Sequence, residues 1–201
     1  MQIVEPGAEL VWITPNAIEV IEAAGRICYR SEGNAAPGSA PAFVRQLLRR
    51  GHESVIEHAA ASFRIVCDRG VSHEIVRHRV ASYSQESTRY CNYSHDRFGR
   101  EIAVIEPPGL APSARRAWEE GIRAAETAYF SLLSEGEKPQ AARAVLPTCL
   151  KTELYMTANF REWRHFLRMR MASDAHPQII PIARRIRDIL VREAPAAFED
   201  L

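Results

Sequence analysis

The sequence predicts an α+β fold: a single domain over residues 1–201, with a largely antiparallel sheet flanked by long helices. Three observations lead there. Strand-like alternation and the three-four rhythm of amphipathic helices both occur along the chain. Several links between elements are hairpin-length or irregular, unlike the regular strand-helix alternation of a parallel sheet. The length of 201 residues, against roughly 150 for a typical domain, implies about one core.

Thr14-Pro15 reads as an N-cap with proline at the first helical position, and Ile18, Ile21 and Ala24 carry a first helix to about Tyr29. Residues 30–40, RSEGNAAPGSA, have no periodicity and predict a mobile surface loop. A second helix, about Pro41 to Arg50, puts Phe43, Val44, Leu47 and Leu48 on one face and stops at Gly51. Ala59 to Cys67 alternates around Phe63 and Ile65 as a half-buried strand. Ser72 is expected to cap a short helix, HEIVRHRV, and EIAVIE at 101–106 to form a strand ended by Pro107-Pro108. Ser113 is expected to cap the longest helix, whose stripe is Trp118, Ile122, Ala125, Tyr129 and Leu132. Gln140 to Leu146 is a short helix cut by Pro147, and Thr152 to Ala158 alternates as a strand. Asn159 then caps the helix REWRHFLRMRM, and a last helix, about Gln178 to Arg192, lines up Ile179, Ile182, Ala183, Ile186, Ile189 and Leu190.

With 46% hydrophobic and 25% charged residues, the composition is that of an ordinary globular protein and excludes disorder, collagen and coiled coil. A formal charge of +1 gives no global field to hold a nucleic-acid polyanion, so any anion site is local. That speaks against the competing class, a non-catalytic nucleotide- or RNA-binding protein. No apolar run of bilayer length and no basic leader occur, so a cytoplasmic protein is expected. Cys28, Cys67, Cys91 and Cys149 form no CxxC pattern and read mostly as small core residues. The seven histidines lack metal-ligand spacing, and no metal is expected.

The densest polar stretch runs from Arg77 to Tyr90 and holds three arginines, four Ser or Thr hydroxyls, Gln85 and two tyrosines. Guanidinium forks and hydroxyls suit phosphate and base edges, yet composition alone fits a solvated helix end and polar loop as well. In the helix after Asn159, Trp163, Phe166, Leu167 and Arg170 stand at i, i+3, i+4 and i+7. Arg170 therefore lies on the apolar stripe, where it either meets a carboxylate, carbonyl or ligand or snorkels to solvent. No GxGxxG, Walker or GxSxG motif is present.

Arg77-His78-Arg79, followed after seven residues by Ser87, resembles the RHR-x7-S signature of the flavin-dependent thymidylate synthase family. Further matches follow in the family's order: Gly51-His52-Glu53-Ser54, Glu57-His58, Arg143-Ala144-Val145-Leu146-Pro147, the Asn159 helix, and Arg170 before Asp174-Ala175-His176-Pro177-Gln178. The resemblance implies conversion of dUMP to dTMP, with methylenetetrahydrofolate as one-carbon donor, NADPH as reductant and FAD as redox cofactor. It also implies a homotetramer with shared active sites.

Carried over by position, the resemblance makes Arg77, His78 and Arg79 flavin contacts, together with Ser54, Gln85, Asn159, Phe160, Arg161 and His165. The dUMP cradle becomes Glu74, Ile75, Val76 and Arg77 with Gln85, Glu86, Ser87, Thr88, Arg89, Arg143 and Arg170. Arg170 matches the arginine that stabilises ionised uracil, and His52 a histidine near the flavin and the folate entrance. Ser87 is read as a hydrogen-bonding group, because no His–carboxylate relay adjoins it to make a nucleophile.

Overall fold

A computed structural model describes residues 1–201. In chain order it contains β1 (Gln2–Ile3), β2 (Gly7–Ile13), α1 (Ala17–Ile27), α2 (Ala40–Arg49), β3 (Ala60–Asp68), α3 (Arg69–Ile75), β4 (Ala81–Gln85) and β5 (Ala103–Val104). There follow α4 (Pro112–Ser134), α5 (Pro139–Ala142), β6 (Lys151–Asn159), α6 (Phe160–Arg170), α7 (Ile179–Glu193) and α8 (Pro195–Phe198). Short 3-10 turns occupy Glu32–Asn34, Glu53–His58, Asp96–Phe98 and Arg143–Val145.

The main sheet has the strand order β2-β3-β6-β4, and β1 pairs with β5 in parallel. Pairing of β3 with β6 is antiparallel: Arg69 N–H meets the Leu150 carbonyl at one end, and Phe160 N–H meets the Ala59 carbonyl at the other. The same sense joins β2 to β3, where Thr14 pairs with Ala60 and Glu9 with Arg64. This is the α+β arrangement that the mixed periodicities imply.

The chain folds into two compact units. One comprises Met1–Pro6, Val66–Ile75 and Ser84–Leu154. Its core gathers Tyr93, Ile102, Val104, Ile122, Tyr129, Ala142 and Leu150, with Trp118 and Leu132 packed against them. Ile122 and Tyr129 thus carry the buried part of the α4 stripe.

The other unit comprises Gly7–Ile65, Val76–Tyr83 and Tyr155–Leu201. Phe63 and Ile65 of β3 are fully buried there, with Trp163, Phe166 and Leu167 of α6 and Ile179, Ala183, Ile186 and Leu190 of α7. In α1, a Cβ on Gly25 would lie 2.6 Å from the Phe43 ring and 3.2 Å from Val55. Only a residue without a side chain allows this approach. Gly25→Ala gains up to about 1 kcal/mol of helix propensity but displaces the ring at a cost of about 1–3 kcal/mol. A net loss of about 1 kcal/mol in urea unfolding is expected.

Several local expectations need correction. Thr14 does not cap α1: its hydroxyl bonds to Ala60 O and accepts from Ala60 N, and Asn16 takes the cap position in a left-handed conformation. Residues 30–40 contain a 3-10 turn at Glu32–Asn34, with Ser31 N–H bonded to Arg26 O and Ser39 Oγ donating to Glu22. Ser113 does not cap α4, which begins at Pro112 with Ala111 at the cap position. Helix α3 begins before Ser72, since the Asp68 carboxylate accepts Val71 N–H at 2.6 Å. Of the four cysteines only Cys67 is fully buried, and Cys28 is exposed.

Candidate active site

Helix α6 organises the site in the second unit. Its N-cap is the one expected: Asn159 Oδ1 accepts the Glu162 N–H at 2.9 Å. The Trp163 indole donates to Ala61 O at 3.0 Å, and Phe166 and Leu167 are fully buried. This face docks on β3 and carries Arg170 on the last turn. Because α3 ends at Ile75, the Arg77-His78-Arg79 triplet lies in the link to β4 rather than on a helix. Its central residue points inward and is 3% exposed, while both arginines are exposed and neither meets a carboxylate.

The His78 ring is held at both nitrogens. Nδ1 lies 3.0 Å from Glu162 Oε1, and Arg170 Nε donates to Nε2 at 3.1 Å. An arginine Nε–H only donates, so Nε2 is an acceptor, the ring is neutral, and its proton resides on Nδ1 facing Glu162. Tyr83 Oη donates to His78 O at 2.7 Å, and the Phe166 ring packs edge-on at 4.9 Å. Arg170, on the apolar stripe, thus has an imidazole nitrogen among its partners.

Burial holds the His78 imidazole below its ordinary value of 6.5; the Glu162 hydrogen bond opposes this and the Arg170 charge adds to it. The lowered value means that the unfolded chain takes up a proton that the folded one resists. The contribution to stability is complete above about pH 6.5 and is lost as pH falls toward the folded value. Urea unfolding midpoints are expected to fall between pH 7.5 and 5.5, and less steeply in His78→Gln. Equal slopes would contradict this.

Val80, Asn159, Arg161, Glu162, His165 and Arg168 line a groove of about 360 Å³ with Glu53 and Glu57. Arg161 pairs with Glu57 at 2.6 Å, and Arg168 with Glu53 at 3.0 Å. A second cavity of about 370 Å³ brings His52, Ser54 and Arg161 together beside Tyr29. The Phe160 side chain takes no part, being fully buried against Phe198. His78, Glu162 and His165 place potential ligand atoms within 4.8 Å of one another. With Nδ1 protonated and Nε2 accepting from Arg170, His78 has no lone pair for a metal.

The first unit assembles the other candidates. Ser72 Oγ donates to Arg69 O at 2.8 Å, so it accepts from Gln85 Nε2 at 2.9 Å; Thr152 Oγ1 accepts from the same nitrogen at 3.1 Å. Both amide hydrogens are engaged, so a ligand could meet this side chain only at its carbonyl oxygen. Glu86 accepts from Tyr93 Oη at 2.9 Å and Lys151 Nζ at 3.3 Å. Arg143 donates to the buried Thr88 hydroxyl at 3.2 Å, and Arg89 is exposed. Ile75 is fully buried and offers a ligand only its main chain. Ser87 Oγ accepts Arg89 N–H at 3.3 Å, with no histidine to activate it. Burial pushes the Cys149 thiol up, which disfavours a thiolate nucleophile there.

The sequence model described as thymidylate synthase complementing protein matches residues 9–196. A flavin-dependent thymidylate synthase of Mycobacterium tuberculosis (strain H37Rv) is 37% identical, over 90% of this chain and 78% of that protein. The chain belongs to the flavin-dependent thymidylate synthase family. A relative of the same name from Geobacter sulfurreducens is 34% identical, over 93% of this chain and 83% of its own length. In fold, the chain resembles a solved UMP/dUMP methylase of Streptomyces cacaoi bound with 5-Br dUMP, at a TM-score of 0.81 and 24% identity, over 99% and 96% of the two chains.

Membership in the flavin-dependent thymidylate synthase family makes the chain an enzyme of the methyltransferase class and a flavoprotein. Of the residues that the family resemblance singles out, His52, Ser54, Arg77, His78, Arg79, Asn159, Arg161, His165 and Arg170 fall in one unit. Glu74, Gln85 through Arg89 and Arg143 fall in the other. Sequence reasoning missed Glu162, Tyr83 and Lys151. Glu162 had one local signal: Asn159-x-x-Glu162 has the form of a capping box, whose carboxylate normally turns back to the cap N–H. Here it turns to His78.

Proposed function

We propose that the protein converts dUMP to dTMP by reductive methylation, with methylenetetrahydrofolate as one-carbon donor, NADPH as reductant and FAD as redox cofactor. The observation that carries this reading is the triplet at 77–79: two exposed arginines without carboxylate partners flank a histidine locked to Arg170. Exposed guanidiniums suit a diphosphate-bearing cofactor, and Val80, next to Arg79 in the chain, lines a groove with Asn159, Arg161 and His165, which supports a fit to FAD. When bound, FAD supplies the redox chemistry that no protein side chain can.

The chain's own groups do the rest. Arg77, Arg79, Arg161 and Ser54 hold the cofactor's phosphates and polar edges, and His52 stands at the folate entrance. Gln85, Ser87, Arg89 and Arg143 bind dUMP, the arginines through its phosphate. Arg170 sets a fixed cation beside the pyrimidine carbonyls, where it lowers the cost of negative charge and makes carbon 5 more nucleophilic. The family match across residues 9–196 supports treating the chain as one functional domain. The reading includes a cytoplasmic homotetramer with shared active sites.

The test is direct: FAD-loaded protein given dUMP, methylenetetrahydrofolate and NADPH is expected to form dTMP, and no product with any of the three omitted. Absence of product from the complete mixture would overturn the reading. Ser87→Ala is expected to keep activity within about tenfold, as for loss of a hydrogen bond rather than a nucleophile. Complete loss of turnover with unchanged dUMP affinity would restore the nucleophile role.

A further inference from the structure

Glu162 is 8% exposed, and its carboxylate lies against the ring of a histidine eighty-four residues away in sequence. Burying a carboxylate this far is costly unless a directed hydrogen bond offsets the lost hydration. Its main-chain N–H is already satisfied by Asn159, so helix capping does not account for the side chain. The groups facing the His78 ring are Glu162, His165, Phe166 and Arg170 from α6, with the Tyr83 hydroxyl fixing the main chain from β4.

We propose that Glu162 is a positioning residue which, through the ring of His78, orients the guanidinium plane of Arg170 toward the uracil of dUMP. The proposal rests on the dUMP reading above and assigns the central histidine of the triplet an internal role, with its flanking arginines left for the cofactor. By accepting from Nδ1, Glu162 keeps the proton off Nε2 and leaves a lone pair there for Arg170 Nε–H. Since that N–H lies in the guanidinium plane, fixing it removes rotation about the end of a long side chain before substrate arrives. Without Glu162 the ring is free to carry its proton on Nε2, which would oppose Arg170 Nε–H directly. A carboxylate that orients the second nitrogen of a working imidazole is the same physical device that fixes metal-bound histidines.

The test uses the FAD-loaded full chain labelled with [15N]histidine, the His78 signals being assigned by comparison with His78→Gln. In the wild-type protein His78 is expected to show a protonated Nδ1 and an unprotonated Nε2. Glu162→Ala, assayed at saturating FAD because Glu162 also lines the groove given to the cofactor, should lose that signature and lower kcat about 10- to 100-fold. Glu162→Gln, which retains an acceptor, should recover most of the loss. A wild-type ring protonated on Nε2, or a kcat for Glu162→Ala within twofold of wild type, would overturn the proposal. Should the alanine variant not fold, the wild-type ring signature decides. Wild-type protein that shows the expected signature but does not turn over dUMP refutes the substrate reading and upholds the relay.

Discussion

Arg170→Ala is expected to lower turnover by about 10²- to 10³-fold, the range for removing one fixed charge-stabilising donor. FAD content should remain close to wild type, because the cofactor contacts are assigned to other residues. The loss should appear in kcat more than in the KM for dUMP, since the charge that Arg170 stabilises develops as the uracil reacts. The side chain gives up a hydrogen bond to His78, for which about 1 kcal/mol of stability is expected. Steady-state dTMP formation with parallel urea unfolding separates the two effects. Kinetics near wild type would remove Arg170 from the chemistry.

The second large effect concerns stability. The Arg164 side chain is 1% exposed and forms a two-pronged pair with Asp200, Nη1 to Oδ1 and Nη2 to Oδ2 both at 2.6 Å. Nη1 also donates to Ala197 O, so α6 is tied to the C-terminal segment. The Arg164 Nε has no hydrogen-bond partner and stands 4.0 Å from Glu53 Oε1. The hydrogen bonds from Arg164 hold the Asp200 carboxyl below its ordinary value of 3.8, so this contribution is present above that pH and is lost on acidification.

Asp200→Ala leaves a buried guanidinium with little but the Ala197 carbonyl, and should destabilise the fold by about 2–3 kcal/mol. That is below the full cost of breaking a buried pair, because the Asp200 carboxylate is half exposed. Arg164→Met removes the buried charge itself, keeps the volume and should cost less. The order of the two urea midpoints is the check, and the reverse order would contradict the account.

Signals that lie within a few residues of one another were legible in the sequence. Asn159 capping α6, Gly51 ending α2, the alternation of β3 and the apolar stripe of α7 each depend on local backbone chemistry. Where a long-range partner competes, the local reading failed. The Thr14 hydroxyl went to Ala60 across the β2–β3 pair, and that of Ser72 to Arg69 and Gln85, leaving Asp68 to cap α3. Strand β4, ASYSQ, has no apolar alternation, because Ser82 and Ser84 are exposed and Tyr83 and Gln85 use polar atoms in hydrogen bonds. Strand β2 was hidden for a related reason: its Val11 and Trp12 are 44% and 45% exposed, and only Ala8 is buried.

The site divides along the same line. The arginines and hydroxyls of the 77–90 stretch could be singled out from residue type, and the family resemblance gave them roles. The position of Arg170 on an apolar stripe announced a partner, but nothing near it in sequence identified His78. Glu162 escaped notice because its side chain acts on a residue contributed by another part of the chain.

The flavin absorbance of FAD-loaded protein, recorded before and after addition of dUMP alone, tests the central claim most directly. Yellow protein whose flavin bands shift on adding dUMP, with a weaker shift in Arg170→Ala, is the expected result. Colourless protein that takes up no FAD, or a flavin spectrum unmoved by saturating dUMP, would contradict it.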